Sequence, residues 1–420
     1  MDDGSDNHVF INEETAKNFQ FTHYPCGHMI YMQEDCLAQF RREAEAWYAK
    51  IKKEALPMKK LLCLVLGLIL LLSVSGSALA VNEDVEGELV IFTSMYKEVL
   101  PMMDAALKAE FPNLTPGNEG SFFFQGGSND LIAKIYGEMG EKRDGPLSAD
   151  IIMVAEPAFA LELKDYGYLQ PFTIEDAENK LRFPYDKNGY WYPVRVCNMV
   201  LAYNPEAADY FAAKGVNVAK SFKDFAYDPT LKGYIPMGDP MKSGTSYASI
   251  ISLMDKYGEE YLDKLAANKV ERASGSGAIA KLQGEGGEYG TASLMILEES
   301  ILNYVQKEAA EGRDVTSVKI CYPEDGVILI PSPVMIVEES LSKNCNTEAA
   351  EAVAEWFLSP EGQKLIIKAN MHGVLKDMSE IPDGSVSTDE LVAKDLGVDW
   401  DKAYHEREQI KKLWSEKVTQ

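Results

Sequence analysis

Three times between Glu88 and Tyr166 a short apolar run breaks at small or polar residues and gives way to a helical pattern. Residues 88–93, Glu88-Leu-Val-Ile-Phe-Thr93, read as a strand. A helix is predicted over 97–110, with Val99, Leu100, Met103, Ala106, Leu107 and Phe111 at helical spacing. Residues 121–125 give a second strand. Gly126-Gly127-Ser128-Asn129-Asp130 then opens a helix carrying Leu131, Ile132, Ile135 and Met139. Residues 150–154 give a third strand, followed by a helix over 157–166. Near-continuous apolar strands alternating with helices are the pattern of a parallel sheet covered on both faces. The chain is therefore α/β.

A second series of the same kind begins near residue 233. Strands are predicted at 233–236, 269–272, 290–294, 318–322 and 327–337, and helices at 245–257, 259–267, 278–283 and 300–311. Helical pattern resumes at 347–358, 360–369 and 400–417. Two α/β lobes follow, in keeping with 420 residues, which exceed one ordinary domain. Apolar residues make up 46%, enough for two cores. The formal net charge of −25 argues against nucleic acid and anionic membranes as partners. It leaves room for an anionic ligand in a small, locally positive site.

The first 80 residues stand apart. Met58-Lys59-Lys60, the apolar run 61–74 and Ala78-Leu79-Ala80 follow the order of a secretory signal with cleavage after Ala80. The run is shorter than the roughly 20 residues a membrane span needs. Cys63 opens the run rather than following it, so lipidation is not expected. Residues 1–57 precede this signal as an extraneous leader, read as a fusion or start-site artefact. Within it, Gly27-His28-Met29 and the helical stretch after Glu34 resemble the C-terminal end of serine carboxypeptidase-like α/β-hydrolases. That resemblance makes His28 the counterpart of a triad base. No nucleophile elbow precedes it, and a base without its serine catalyses nothing. After Ala80 the cysteines are Cys197, Cys321 and Cys345, widely spaced and without C-x-x-C, so at most one disulfide is possible and buried free thiols are expected.

Several ordered segments carry a wider resemblance. They include Leu89-Val-Ile-Phe-Thr-Ser-Met-Tyr-Lys-Glu98, Gln125-Gly-Gly-Ser-Asn-Asp-Leu-Ile-Ala-Lys134, Leu201-Ala-Tyr-Asn-Pro205 and Gly238-Asp-Pro-Met-Lys-Ser-Gly-Thr-Ser-Tyr247. Tyr322-Pro-Glu-Asp-Gly-Val-Ile-Leu-Ile-Pro-Ser-Pro333 and Phe357-Leu-Ser-Pro-Glu-Gly-Gln363 complete the series. From residue 81 onward the chain resembles the iron(III)/organophosphate branch of ABC-importer solute-binding proteins. The resemblance implies a type II periplasmic-binding-protein fold, two α/β lobes joined by a two-strand hinge. Crossovers are expected near Tyr203 and 326–333. They give lobe 1 at 81–203, lobe 2 at 204–325, and a return to lobe 1 with C-terminal helices at 326–420. The implied partners are a small solute and an ABC permease in the cytoplasmic membrane. The protein would be an exported monomer in the periplasm or on the outer face of the membrane.

Ligands of open α/β sheets sit beyond the carboxyl ends of strands, where helices begin. Ser94 and Tyr96 follow the first strand, Gly127 and Ser128 the second, and Ser243, Gly244 and Thr245 open a helix of the second series. Helix starts carry unsatisfied N–H groups and partial positive charge, which suit phosphate, phosphonate or carboxylate. Ordinary helix capping uses the same residue types. Arg195, near the first crossover, is either a bidentate anion partner or a strand-edge residue. Glu156 follows the third strand and is either a cleft residue or a helix first-turn carboxylate. Glu298 and Glu299 either meet a ligand amine or hydroxyl or form a solvated helix start.

Iron-binding relatives hold the ion with an adjacent tyrosine pair after the second-lobe strand. Here the stretch reads Met295-Ile-Leu-Glu-Glu299, and only His372 and His405 follow the signal. Hard ferric iron wants anionic oxygen ligands, so an organophosphate or phosphonate is favoured, with ferric iron as the alternative; no cofactor is expected. A secreted enzyme on the same fold is a further alternative. It lacks G-x-S-x-G, H-E-x-x-H and G-x-x-x-x-G-K-[ST] motifs. Repeats and low-complexity spacers that would mark an adhesin are absent too.

Overall fold

The computed structural model describes residues 82–418 apart from 274, 285–287 and 314–316. The leader with His28, Cys26 and Cys36, and the signal over 58–80 with Cys63, lie outside the described residues. The described residues belong to one compact unit. None of its helices is long and apolar enough to cross a membrane.

The first apolar run splits at Val90 into β1 (Gly87–Leu89) and β2 (Ile91–Thr93). Helix α1 (Leu100–Glu110) starts later than predicted because Pro101 fits the first helical turn, leaving 97–99 as a turn. Strand β3 (Leu114–Pro116) pairs only with β1, in a separate two-stranded sheet. Strand β4 (Phe123–Gln125), helix α2 (Ser128–Met139), strand β5 (Ile151–Met153) and helix α3 (Pro157–Asp165) follow the predicted alternation. Strands β4, β2 and β5 are parallel neighbours, as apolar strands separated by helices require.

After β6 (Leu169–Gln170) comes β7 (Tyr192–Tyr203), a twelve-residue strand that sequence periodicity did not single out. Pro193, Arg195 and Asn198 interrupt its apolar pattern, yet nearly all of it is buried. The second series contributes β8 (Pro236–Met237), helices α4 (Gly244–Tyr257) and α5 (Glu260–Ala267), and β9 (Glu271–Arg272). The strand predicted at 290–294 instead forms as β10 (Leu294–Leu297), where Met295 sits opposite Leu201 of β7. Helix α6 (Glu298–Ala310) follows at once, then β11 (Lys319–Cys321) and β12 (Ile328–Val337).

The large sheet runs β4-β2-β5-β12-β7-β10-β8-β9, with β11 also on β7 and β6 on β12. Strands β7 and β12 are its antiparallel centre, paired from Ile328↔Met199 to Val334↔Tyr192 with an irregularity at Ser332/Pro333. On one side lie the strands of the first series, packed with Ile91, Met103, Phe111 and the return helices α7 (Thr347–Phe357) and α8 (Pro360–Lys368). On the other side, Phe211, Phe222, Ile250 and Tyr261 build a second core.

The pattern predicted as one helix over 400–417 is two helices, α9 (Trp400–His405) and α10 (Arg407–Val418). The break lets each piece face a different neighbour. Helix α9 lies on α3 of the first half, and α10 on α5 of the second. Trp414 is fully buried in the second core. Cys197, Cys321 and Cys345 are free thiols.

Candidate functional site

A cavity of about 780 Å³ opens where the carboxyl ends of the strands meet helix starts from both halves. The first half supplies Ser94–Glu98 after β2 and Gln125–Ser128 between β4 and α2. The centre supplies Arg195 and Cys197 of β7. The second half supplies Asp239, Lys242, Ser243, Thr245 and Arg272, with Leu297, Glu299, Ser300, Asn303, Tyr304 and Lys307 around α6.

Local sequence explains these positions. Thr93 Oγ1 accepts the Met95 N–H at 3.2 Å, turning the chain after β2. Gly127, in extended conformation, leads into α2 with no side-chain cap. Ser243 caps α4 by accepting the Ser246 N–H at 3.2 Å and contacts Thr245 Oγ1 at 3.1 Å. The halves touch across the mouth. Asn129 Nδ2 donates to the Met241 carbonyl at 2.6 Å, and the Tyr96 hydroxyl pairs with Ser300 Oγ.

Of the residues singled out from sequence, Ser94, Tyr96, Gly127, Ser128, Arg195, Ser243 and Thr245 line this one cavity. Gly244, Glu156 and Glu298 do not. A methyl group at Gly244 would lie 2.8 Å from Glu156 Oε2 and 3.3 Å from Ser128 Cβ, so its face is covered by the opposite half. Glu156 is 2% exposed and pairs with Arg407 at 3.3 Å. Burial raises its carboxyl above the usual range, with Arg407 and Lys411 opposing.

Glu298 points into a polar knot beside the central strands. Asn198 Nδ2 donates to it at 2.7 Å, His372 Nε2 lies 3.1 Å away, and the hydroxyls of Tyr322 and Ser385 donate to its other oxygen. Burial alone would raise this carboxyl. The hydrogen bond from His372, its charge, and the hydroxyls outweigh burial and hold it below the ordinary range. Glu298 is therefore neither a cavity residue nor a solvated helix start.

Arg195 is 2% exposed and lies on a central strand, so the edge reading does not hold. Its Nη1 stands 3.5 Å from Glu299 Oε1, an ion pair too long for a hydrogen bond, and donates to Met371 Sδ at 3.1 Å. Ser94 Oγ, Arg195 Nε and Glu299 Oε1 are buried without a hydrogen-bond partner, an uncommon concentration on the lining of one cavity. Burial raises the Glu299 carboxyl against the pull of Arg195, and pushes the Cys197 thiol up to about 12, which keeps it unreactive.

The cationic lining residues, Lys97, Lys242, Arg272 and Lys307 beside Arg195, outnumber the carboxylates Glu98, Asp239 and Glu299. Lys97, Lys242 and Lys307 make no ion pair with any described residue. Sequence reasoning passed over these lysines, although Lys242 sits directly before the Ser243 cap. Among the described residues no group of three His, Cys, Asp or Glu is placed to hold a metal ion.

The profile of the family described as bacterial extracellular solute-binding protein matches residues 147–405. An uncharacterized protein of Haemophilus influenzae is 24% identical over 305 residues, covering 71% of this chain and 79% of its own. Among solved structures, iron-bound HitA from Pseudomonas aeruginosa is 19% identical with a TM-score of 0.61. It covers 79% of this chain and 99% of its own. The periplasmic binding protein AfuA from Actinobacillus pleuropneumoniae, with exogenous fructose-6-phosphate bound, is 20% identical with a TM-score of 0.62 and the same coverage. These likenesses show the fold, that of the type II periplasmic binding proteins. The family is one of binding proteins, not enzymes. With more than half its length matched by the profile, the chain belongs to the bacterial extracellular solute-binding proteins.

Proposed function

We propose that this protein captures a small organophosphate or phosphonate-like anion between two lobes and delivers it to an ABC permease in the cytoplasmic membrane. In this reading residues 81–203 and the return after 326 form lobe 1, 204–325 form lobe 2, and the C-terminal helices join the two, α9 lying on α3 and α10 on α5. Strands β7 and β12 act as the hinge, and the exported protein works in the periplasm or on the extracellular face of the cytoplasmic membrane. The observation that carries the reading is the sign of the cavity: a chain of net charge −25 gathers an excess of cations, three without ion-pair partners, around one cleft. Such a cleft draws anions and repels cations. Its volume also suits a metabolite better than a bare ion.

Relatives of this fold carry iron in HitA and fructose-6-phosphate in AfuA. The tyrosines of this cavity, Tyr96 and Tyr304, hydrogen-bond to Ser300 and to Gln283 Oε1, and no histidine lines it. That favours a phosphorylated cargo over ferric iron. Cargo that touches both lobes favours the closed form. The test is a thermal-shift panel of phosphate monoesters, phosphonates and ferric iron. A ligand at a hundred times its Kd stabilises by about 2.7 kcal/mol. Shifts with phosphate esters or phosphonates support the reading. A shift with ferric iron and none across the anion panel overturns it.

A further inference from the structure

We propose that Arg407 of the C-terminal helix latches the cleft shut without cargo, by holding Glu156 against the Gly244 start of α4. This rests on the hinge reading above, but not on the identity of the cargo.

Helix α10 is built into the second half. Trp414 lies in that core and Lys417 pairs with Asp263 at 2.9 Å, while the preceding helix α9, which lies on α3, is tied to the second half where the Tyr247 hydroxyl donates to the Ala403 carbonyl at 2.8 Å. From that base Arg407 reaches into the first half. Its Nη2 donates to Glu156 Oε1 at 3.3 Å, and its Nη1 donates to Glu162 Oε2. The Tyr136 hydroxyl also donates to Glu162. Arg407 is thus the charged group by which a second-half element grips a first-half helix.

Glu156 completes the contact. Its Oε2 is buried with no hydrogen-bond partner and faces the start of α4 so closely that a methyl group at position 244 would displace the carboxylate. Ser128, at the start of α2, borders the same spot. Two helix starts, one from each half, therefore converge on one carboxylate belonging to the chain itself. Helix starts attract negative charge, so Glu156 supplies the closed form with an anion of its own. Separating the halves would take both Arg407 and α4 away from Glu156.

The experiment is amide hydrogen exchange on the full cargo-free protein. It follows peptides covering 126–132 and 241–247, whose first-turn N–H groups lack helical partners and are shielded by the opposite half. Arg407→Gln removes the clasp. Gly244→Ala crowds the Glu156 carboxylate from the α4 side and leaves the Arg407 side chain in place. Both should speed exchange in both lips, Arg407→Gln by about a hundredfold or more, the scale of losing one partner of a buried ion pair. Peptides from β7 and α5 should stay unchanged, and Arg407→Lys should restore part of the protection. A general loss of protection in α5 and α10 with Arg407→Gln, and none in the lips with Gly244→Ala, would assign Arg407 a purely structural role and overturn the latch. Unprotected lips in the wild type that become protected with a phosphate ester would overturn the latch and leave the hinge standing. Lips equally protected in the wild type, the variants and every ligand condition would overturn both.

Discussion

Glu298 and Glu299 are adjacent in sequence, equally buried, and held by opposite means. Glu298 accepts hydrogen bonds from four side chains, whereas Glu299 faces Arg195 across a gap. Because the folded Glu298 carboxyl is held below its unfolded value, its contribution to stability is present above about pH 4.3 and is lost as pH falls through the depressed folded value. Glu298→Gln should flatten the acid limb of the stability curve and cost about 1–3 kcal/mol at neutral pH, read by urea unfolding across pH 3–7. On the cavity side, Lys242→Ala combined with Lys307→Ala should weaken a phosphate ester about tenfold by calorimetry, with little change in melting temperature. Their charges could not be assigned to a site from sequence, since an unpaired lysine reads like any solvated lysine. Ser94, Ser128 and Ser243 were legible because a turn after an apolar strand has few alternatives. Glu156 stayed open between a cleft residue and a helix-start carboxylate because its partner Arg407 lies 251 residues away.

At the scale of elements, the parallel strands and their helices were legible from apolar periodicity, whereas the central strand β7 was not. Its Arg195 and Asn198 are buried polar residues, one lining the cavity and the other bonded into the Glu298 knot, so the apolar pattern fails at both. Strand β10 also falls later than predicted, and Glu298 and Glu299 after it, open between a ligand contact and a solvated helix start, are buried. Prolines 331 and 333 sit in β12 opposite Val196 and Pro193, where ladder hydrogen bonds are sparse. This centre of the sheet can therefore bend at less cost than an uninterrupted ladder. Replacing Pro333 with Val should stiffen it and slow cargo release, measured by stopped-flow fluorescence of the cavity-side tyrosines.

At the scale of the whole molecule, two cores share one sheet, and the acidic exterior surrounds a locally cationic cleft. The fold class was legible throughout, because both halves repeat the same strand-helix logic. What no local pattern revealed was that the last helices answer to both halves. Trp414→Ala should cost about 3–5 kcal/mol, seen as a lower chemical denaturation midpoint. Trp414 also bears on timing. It fills a core whose other members, Phe211, Phe222 and Leu265, emerge from the ribosome long before it. Without that tryptophan the second core lacks one of its largest fully buried side chains. The second core is therefore complete only when residues more than a hundred positions apart in the chain have come together, a non-local closure that slows folding.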